Sequence, residues 1–237
     1  MRTLILTLLL LAASLPCIAQ KAGKVTREVQ PASVTSGTKT TEAAVNEGLK
    51  LNDILKTGPD GRLRAVLDDG SILTLTSSAD MRVVSHDKET SHTVLELNYG
   101  YVRATVVGAM AGAPPASFEI HTATAVCGVL GTQFEMQTSD EATQVHVHEG
   151  QVHFTNSKTG QRMDLRQGQT AHLLHRTGAM RQGMYPKFAA ATRQRWQAER
   201  QEIQGERVER NQHRQQRLQE LRKQRAQKKR PVPKGQK

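Results

Sequence analysis

From about Val25 to His175, apolar and polar positions alternate with period two, and turn residues interrupt the alternation about every eight to twelve positions. That rhythm predicts many short antiparallel strands, each with one face to bury. Leu63, Ala65 and Leu67 alternate with Arg62, Arg64 and Asp68, so this strand is expected to have one buried face and one wet face. Asp69-Gly70 separates it from Leu73 and Leu75, and a glycine that tolerates positive φ predicts a tight hairpin there. Leu95/Leu97, Phe118/Ile120/Thr122, Phe134/Met136, Val145/Val147 and Val152/Phe154 continue the pattern, with Phe134 expected in the core. Gly58-Pro59-Asp60-Gly61, Glu149-Gly150, the stretch from Asn156 to Gly160 and Gln167-Gly168 supply turns. The segment from Gly108 to Ala116 contains Pro114-Pro115, cannot continue a strand and reads as a surface loop.

An ordered series of motifs runs through these strands. It opens with Gly48-Leu49-Lys50-Leu51-Asn52-Asp53-Ile54-Leu55-Lys56-Thr57-Gly58, then Gly61-Arg62 and Leu67-Asp68-Asp69-Gly70-Ser71. Leu95-x-Leu97-x-x-Gly100-x-Val102, Phe118-x-Ile120-x-Thr122-x-x-Ala125, Val129-Leu130-Gly131-Thr132-x-Phe134 and Val145-x-Val147-x-x-Gly150-x-Val152 follow, and the series ends in Gly168-Gln169. Over roughly residues 22–176 the chain resembles the extracytoplasmic FecR domain. The resemblance implies an all-β fold and a sensing or binding role without catalysis. Asn52 stands where the family usually has Gly, and Leu130 where it often has Arg, so a contact made by that Arg is not carried over. Members of the family include inner-membrane regulators with a sigma-factor-controlling cytoplasmic segment and a membrane helix, and neither of those two is expected here.

Most motif residues read as structural. Gly131 is expected to allow a bend, and Thr132 to satisfy a turn amide before Phe134 enters the core. Asp69-Gly70-Ser71 lacks the regular acidic spacing of a calcium loop and an arranged His partner for a nucleophilic serine. Gly128-Val129-Leu130-Gly131-Thr132 has no Lys before Thr132 and follows no βα pattern, which excludes a phosphate loop. The sharpest chemical alternative is a His-x-His strand. His146 and His148 share one strand face, His153 returns after the Glu149-Gly150 turn, and with Glu149 they resemble the metal motif of cupins. Val145, Val147, Val152 and Phe154 take the inward face, however, so the three His are expected to face solvent or a neighbouring sheet, with no metal and no cofactor. His172 and His175 have opposite strand parity and are not expected to join them.

The two ends differ from the body. Arg2, an apolar stretch from Leu4 to Ala13 and the small residues around Cys17-Ile18-Ala19 read as a secretory signal over residues 1–19, cleaved after Ala19. The stretch is shorter than the ~20 residues a spanning helix needs. Ser14-Leu15-Pro16 lacks the small residue expected before an acylated Cys17, and ordinary cleavage leaves Cys127 without a disulfide partner.

Net charge changes the picture further. Of the formal +11, residues 187–237 carry all: they hold 16 Lys or Arg and 5 Asp or Glu, while residues 1–186 hold 17 of each. Residues 187–229 are rich in Gln, Arg, Glu, Lys and Ala, and predict a long basic α-helix with Arg195–Glu199 and Glu206–Arg210 pairs. Phe188 and Trp196 could pack its first turns, but no heptad seam continues. Residues 230–237 read as a disordered end.

The expected organisation is thus a signal peptide, a many-stranded antiparallel β domain (sandwich or roll) over residues 20–180, and the basic helical tail. With aromatics at 3%, base-stacking recognition of nucleic acid is disfavoured. The leading expectation is an exported, periplasmic or secreted, non-enzymatic module that meets a protein or glycan of the cell envelope. Its tail would hold an anionic polymer or membrane surface through Arg222, Lys223, Arg225, Lys228, Lys229 and Arg230. The competing readings are nucleic-acid binding, because Lys228-Lys229-Arg230-Pro231 resembles an RNA-binding or nuclear-import tail, and a metal enzyme built on the His strand.

Overall fold

The computed structural model describes residues 20–87, 90, 92–107 and 117–184. The leader, the Gly108 to Ala116 loop and the basic tail, with its six named Arg and Lys residues, lie outside the described residues. Every regular element within them is a strand: β1 Lys21–Val29, β2 Ala32–Ser36, β3 Lys39–Glu42, β4 Gly48–Lys50, β5 Ile54–Thr57, β6 Arg62–Leu67, β7 Ile72–Asp87 and β8 His92–Thr105. Then follow β9 Ser117–His121, β10 Ala125–Val129, β11 Gln133–Thr138, β12 Ala142–Glu149, β13 Gln151–Asn156, β14 Arg162–Arg166, β15 Gln169–Leu174 and β16 Met180–Met184.

Two long strands organise the rest. The start of β7 pairs with β6 and its middle, Asp80 to Arg82, with β5, while the end of β8 pairs with β11 and its start with β9. Two sheets therefore diverge from one shared hairpin. The first runs β4-β1-β6-β7-β8-β11-β12-β15-β16 and the second β3-β2-β5-β7-β8-β9-β10-β13-β14. One hydrophobic core joins them: Val25, Leu63, Leu73, Leu75, Phe134, Met136, Val145 and Val147 come from the first sheet, and Leu55, Leu95, Phe118, Ile120, Cys127 and Phe154 from the second.

The divergence has a local cause. Thr76 pairs with Tyr101 and Asp80 with Tyr99, so β7 spends four positions where β8 spends two. Ser78 adopts φ 57 within the extra residues, and Gly100 opposite takes φ 90. A Cβ on Gly100 would lie 2.5 Å from the Ala79 Cα, so only glycine fits where the backbones close up. The Ala79 amide is held by the Thr57 hydroxyl at 3.0 Å.

Several expectations are corrected. The pairing is not wholly antiparallel, because β8 and β9 run parallel from His92↔Ser117 to Glu96↔His121. β7 and β8 have 16 and 14 residues, well beyond the expected short strands. Strand β6 is covered on both faces: besides inward Leu63, Ala65 and Leu67, outward Arg64 is 6% exposed. The Asp69-Gly70 hairpin is present, with Val66 paired to Ile72 and Gly70 at φ 90. Phe134 is fully buried.

Candidate functional site

The outward face of the first sheet carries a group of interacting polar side chains centred on Glu135. Glu135 occupies an outward position in β11, between inward Phe134 and Met136, yet it is only 3% exposed. Its neighbours across the ladder are Arg103 on β8 and His146 on β12. Arg103 Nε and Nη2 both donate to Glu135 Oε1 at 3.2 Å, and His148 Nε2 lies 3.4 Å from Oε2. Burial works to raise the Glu135 pKa, but hydrogen bonds from His148 and Tyr101 and the charges of His148 and Arg103 outweigh it, so the carboxyl is held below its ordinary value. His146 is pushed down to about 4, chiefly by burial, against the attraction of Glu135 and with repulsion from His172 and His148. Its imidazole is neutral at physiological pH.

The three His of the predicted motif do not form one group. His146 and His148 stand on β12 in the first sheet, as their spacing requires, but the His148 side chain is only 14% exposed and leans on Glu135. His153 lies on β13 in the second sheet, where its Nδ1 is 2.6 Å from Asp164 Oδ1 and Arg162 Nε donates to the same oxygen at 2.9 Å. His172, set aside on parity, does reach His146: their rings sit edge to face with centroids 6.3 Å apart. Among the described residues, no cluster of three or more His, Cys, Asp or Glu side chains could hold a metal ion.

Glu135, Arg103 and Tyr101 escaped sequence reasoning. The available signal was a charged residue flanked by two core residues, Phe134 and Met136. The pairing of β8 with β11, which supplies its partners, could not be read from the chain.

Nucleophile candidates are closed off. The Ser71 hydroxyl donates to Asp69 Oδ2 at 2.9 Å, accepts the Val107 amide at 3.3 Å and is fully buried, which places it in the hairpin's structure. Thr143 Oγ1 lies 2.9 Å from His175 Nε2, but Thr143 is also fully buried and shares its hydroxyl with Thr138 at 3.0 Å. No substrate can approach either oxygen. Burial pushes the Cys127 thiol up, so it stays protonated and inert.

The second sheet carries close polar pairs on its outward face. Lys56 pairs with Asp80 at 2.9 Å, Arg82 with Glu96, and His121 Nε2 with Glu119 Oε2 at 2.6 Å. Beside Lys56 a cleft of about 270 Å³ opens between Gln30, Ser33, Glu42 and Gly58. That is below the usual range for small-molecule sites, about 300–1,000 Å³.

The motif residues act as braces. Thr132 Oγ1 donates to the Gln151 carbonyl at 2.9 Å, tying the β10–β11 turn to β13. A Cβ on Gly150, at φ 87, would come within 2.8 Å of that hydroxyl. Asn52, standing where glycine is usual, takes φ 67, a left-handed conformation that asparagine tolerates, and its amide donates to Val83 O at 2.7 Å. Leu130 is 52% exposed and fills no pocket.

No curated protein matches the chain significantly. Among solved structures, two crystal structures from Parabacteroides distasonis ATCC 8503, each described as a candidate anti-sigma factor, match at 19% identity with a TM-score of 0.49. The match covers 56% of this chain and 59% of that one. Residues 53–153 match the family model described as FecR protein, a span that takes in the shared β7–β8 hairpin, the Gly131-Thr132 brace and the Glu135 group.

Proposed function

We propose that this chain is an exported, non-enzymatic sensing or binding module of the cell envelope. The match to the FecR family model over residues 53–153 carries the reading. The polar groups support it: Glu135 is committed to Arg103 and His148, and the Ser71 and Thr143 hydroxyls are buried, so none of these three offers an open nucleophile or base. The domain meets an envelope protein or glycan and contributes to signalling. The tail, with Arg222, Lys223, Arg225, Lys228, Lys229 and Arg230, holds anionic surfaces, because all of the net +11 lies in residues 187–237. The test is genetic. In the native host, deleting the gene should change transcription of an envelope-stress or uptake regulon, and the full chain should restore it while Phe134→Ala, which removes a core side chain, should not. Unchanged transcription across envelope conditions would contradict a signalling role.

A further inference from the structure

Cleavage after Ala19 would leave Gln20 as the amino-terminal residue. Gln20 is bonded at two points: its carbonyl accepts the Leu51 amide at 3.1 Å, and its side-chain Nε2 donates to the carbonyl of His86 at 3.1 Å. Both anchors are firm. Leu51 follows β4, which pairs with β1, and His86 is 2% exposed in β7, its ring bonded to Thr93 Oγ1 at 3.0 Å across the β7–β8 ladder. Strand β1 starts at the next residue and lies between β4 and β6.

An amino-terminal glutamine has an intrinsic reaction. Its α-amino nitrogen attacks the side-chain Cδ, a new N–Cδ bond closes a five-membered lactam, and the Cδ–Nε2 bond breaks. Nε2 leaves as ammonia, taking up the proton that the amine gives away, and no oxidant or reductant is involved. The leaving nitrogen is the atom that Gln20 donates to His86, and ring closure must release it. We propose that the folded domain protects its mature amino terminus from this modification, keeping Gln20 open with a free α-amine; the proposal rests on the processing reading above.

The neutral hydrogen bond to be broken corresponds to about fivefold in rate, or ~1 kcal/mol. Fixing the Gln20 backbone through Leu51 adds to that. The experiment uses the mature chain from native envelope fractions, incubated either folded or in urea, with open and cyclised amino-terminal peptides followed by mass spectrometry. Cyclisation is expected to be at least about fivefold slower in the folded protein. In Gly23→Ala, whose Cβ would run into the Val66 carbonyl and dislodge β1, the folded rate should move toward the unfolded one. Equal rates in the two states, or a fully cyclised terminus in freshly isolated folded protein, overturn the proposal alone. An amino terminus other than Gln20 instead contradicts the processing reading and removes the proposal with it.

Discussion

Glu135 shows how one carboxylate can remain charged while almost wholly buried. Arg103 and His148 occupy both of its oxygens, and the stabilisation they give exceeds the desolvation that opposes it. Because its folded pKa is depressed, its contribution to stability is present above the unfolded value and is lost as pH falls through the folded one. His146 acts in the same direction. Its folded pKa of about 4 lies below the ordinary 6.5, so between those values the unfolded chain takes up a proton that the folded protein refuses. Stability should therefore decline as pH falls from about 6.5 to 4. His146→Gln should flatten that slope by about 1 kcal/mol, less than the whole shift because the ring is part exposed. Denaturant melts at a series of pH values measure it, and an unchanged slope would remove His146 from the acid response. Glu135→Gln, which removes the carboxylate that accepts from Arg103 Nε and Nη2, should cost about 2–3 kcal/mol at neutral pH in the same melts.

At the scale of elements, the β7–β8 hairpin decides the architecture. Gly100→Ala forces a side chain against Ala79 at φ 90, and should destabilise the domain by at least about 2 kcal/mol. Phe134→Ala, deleting a fully buried ring, should cost about 3–5 kcal/mol. Urea midpoints check both, and a loss below about 1 kcal/mol at either position would contradict the packing described. The period-two pattern made strands β6, β9, β11, β12 and β13 legible, because each shows its core residues every second position. The long strands were not legible. Residues 77–79 break the alternation where β7 passes from one sheet to the other, so one strand reads as two. The parallel β8–β9 pairing is likewise absent from local pattern, since it is set by which distant strands find each other. Nor does a polar side chain mark a wet face, as Arg64 shows. The His pair was found by spacing and Glu135 was missed for the same reason: spacing reveals neighbours on one strand and is silent about neighbours across a ladder.

For the whole molecule, charge and fold are separated along the chain. Residues 1–186 are balanced, Lys56–Asp80 and Arg162–Asp164 pair on the second sheet, and the excess resides in residues 187–237. Attachment to anionic vesicles or lipopolysaccharide should therefore be Coulombic and fall steeply between low and physiological salt, where the Debye length is about 8 Å and each engaged Lys or Arg contributes on the order of 1 kcal/mol. A chain ending at Pro186 should lose nearly all of it in sedimentation assays; equal retention of both forms at low salt would make the tail a solubilising segment only. The proposed export underlies this attachment, the proposed envelope partner and the proposed amino terminus together. It is tested most directly by amino-terminal sequencing of the protein from fractionated native cells: a chain beginning at Gln20 in the extracytoplasmic fraction is the predicted result, and an intact leader beginning at Met1 in the cytoplasm would contradict it.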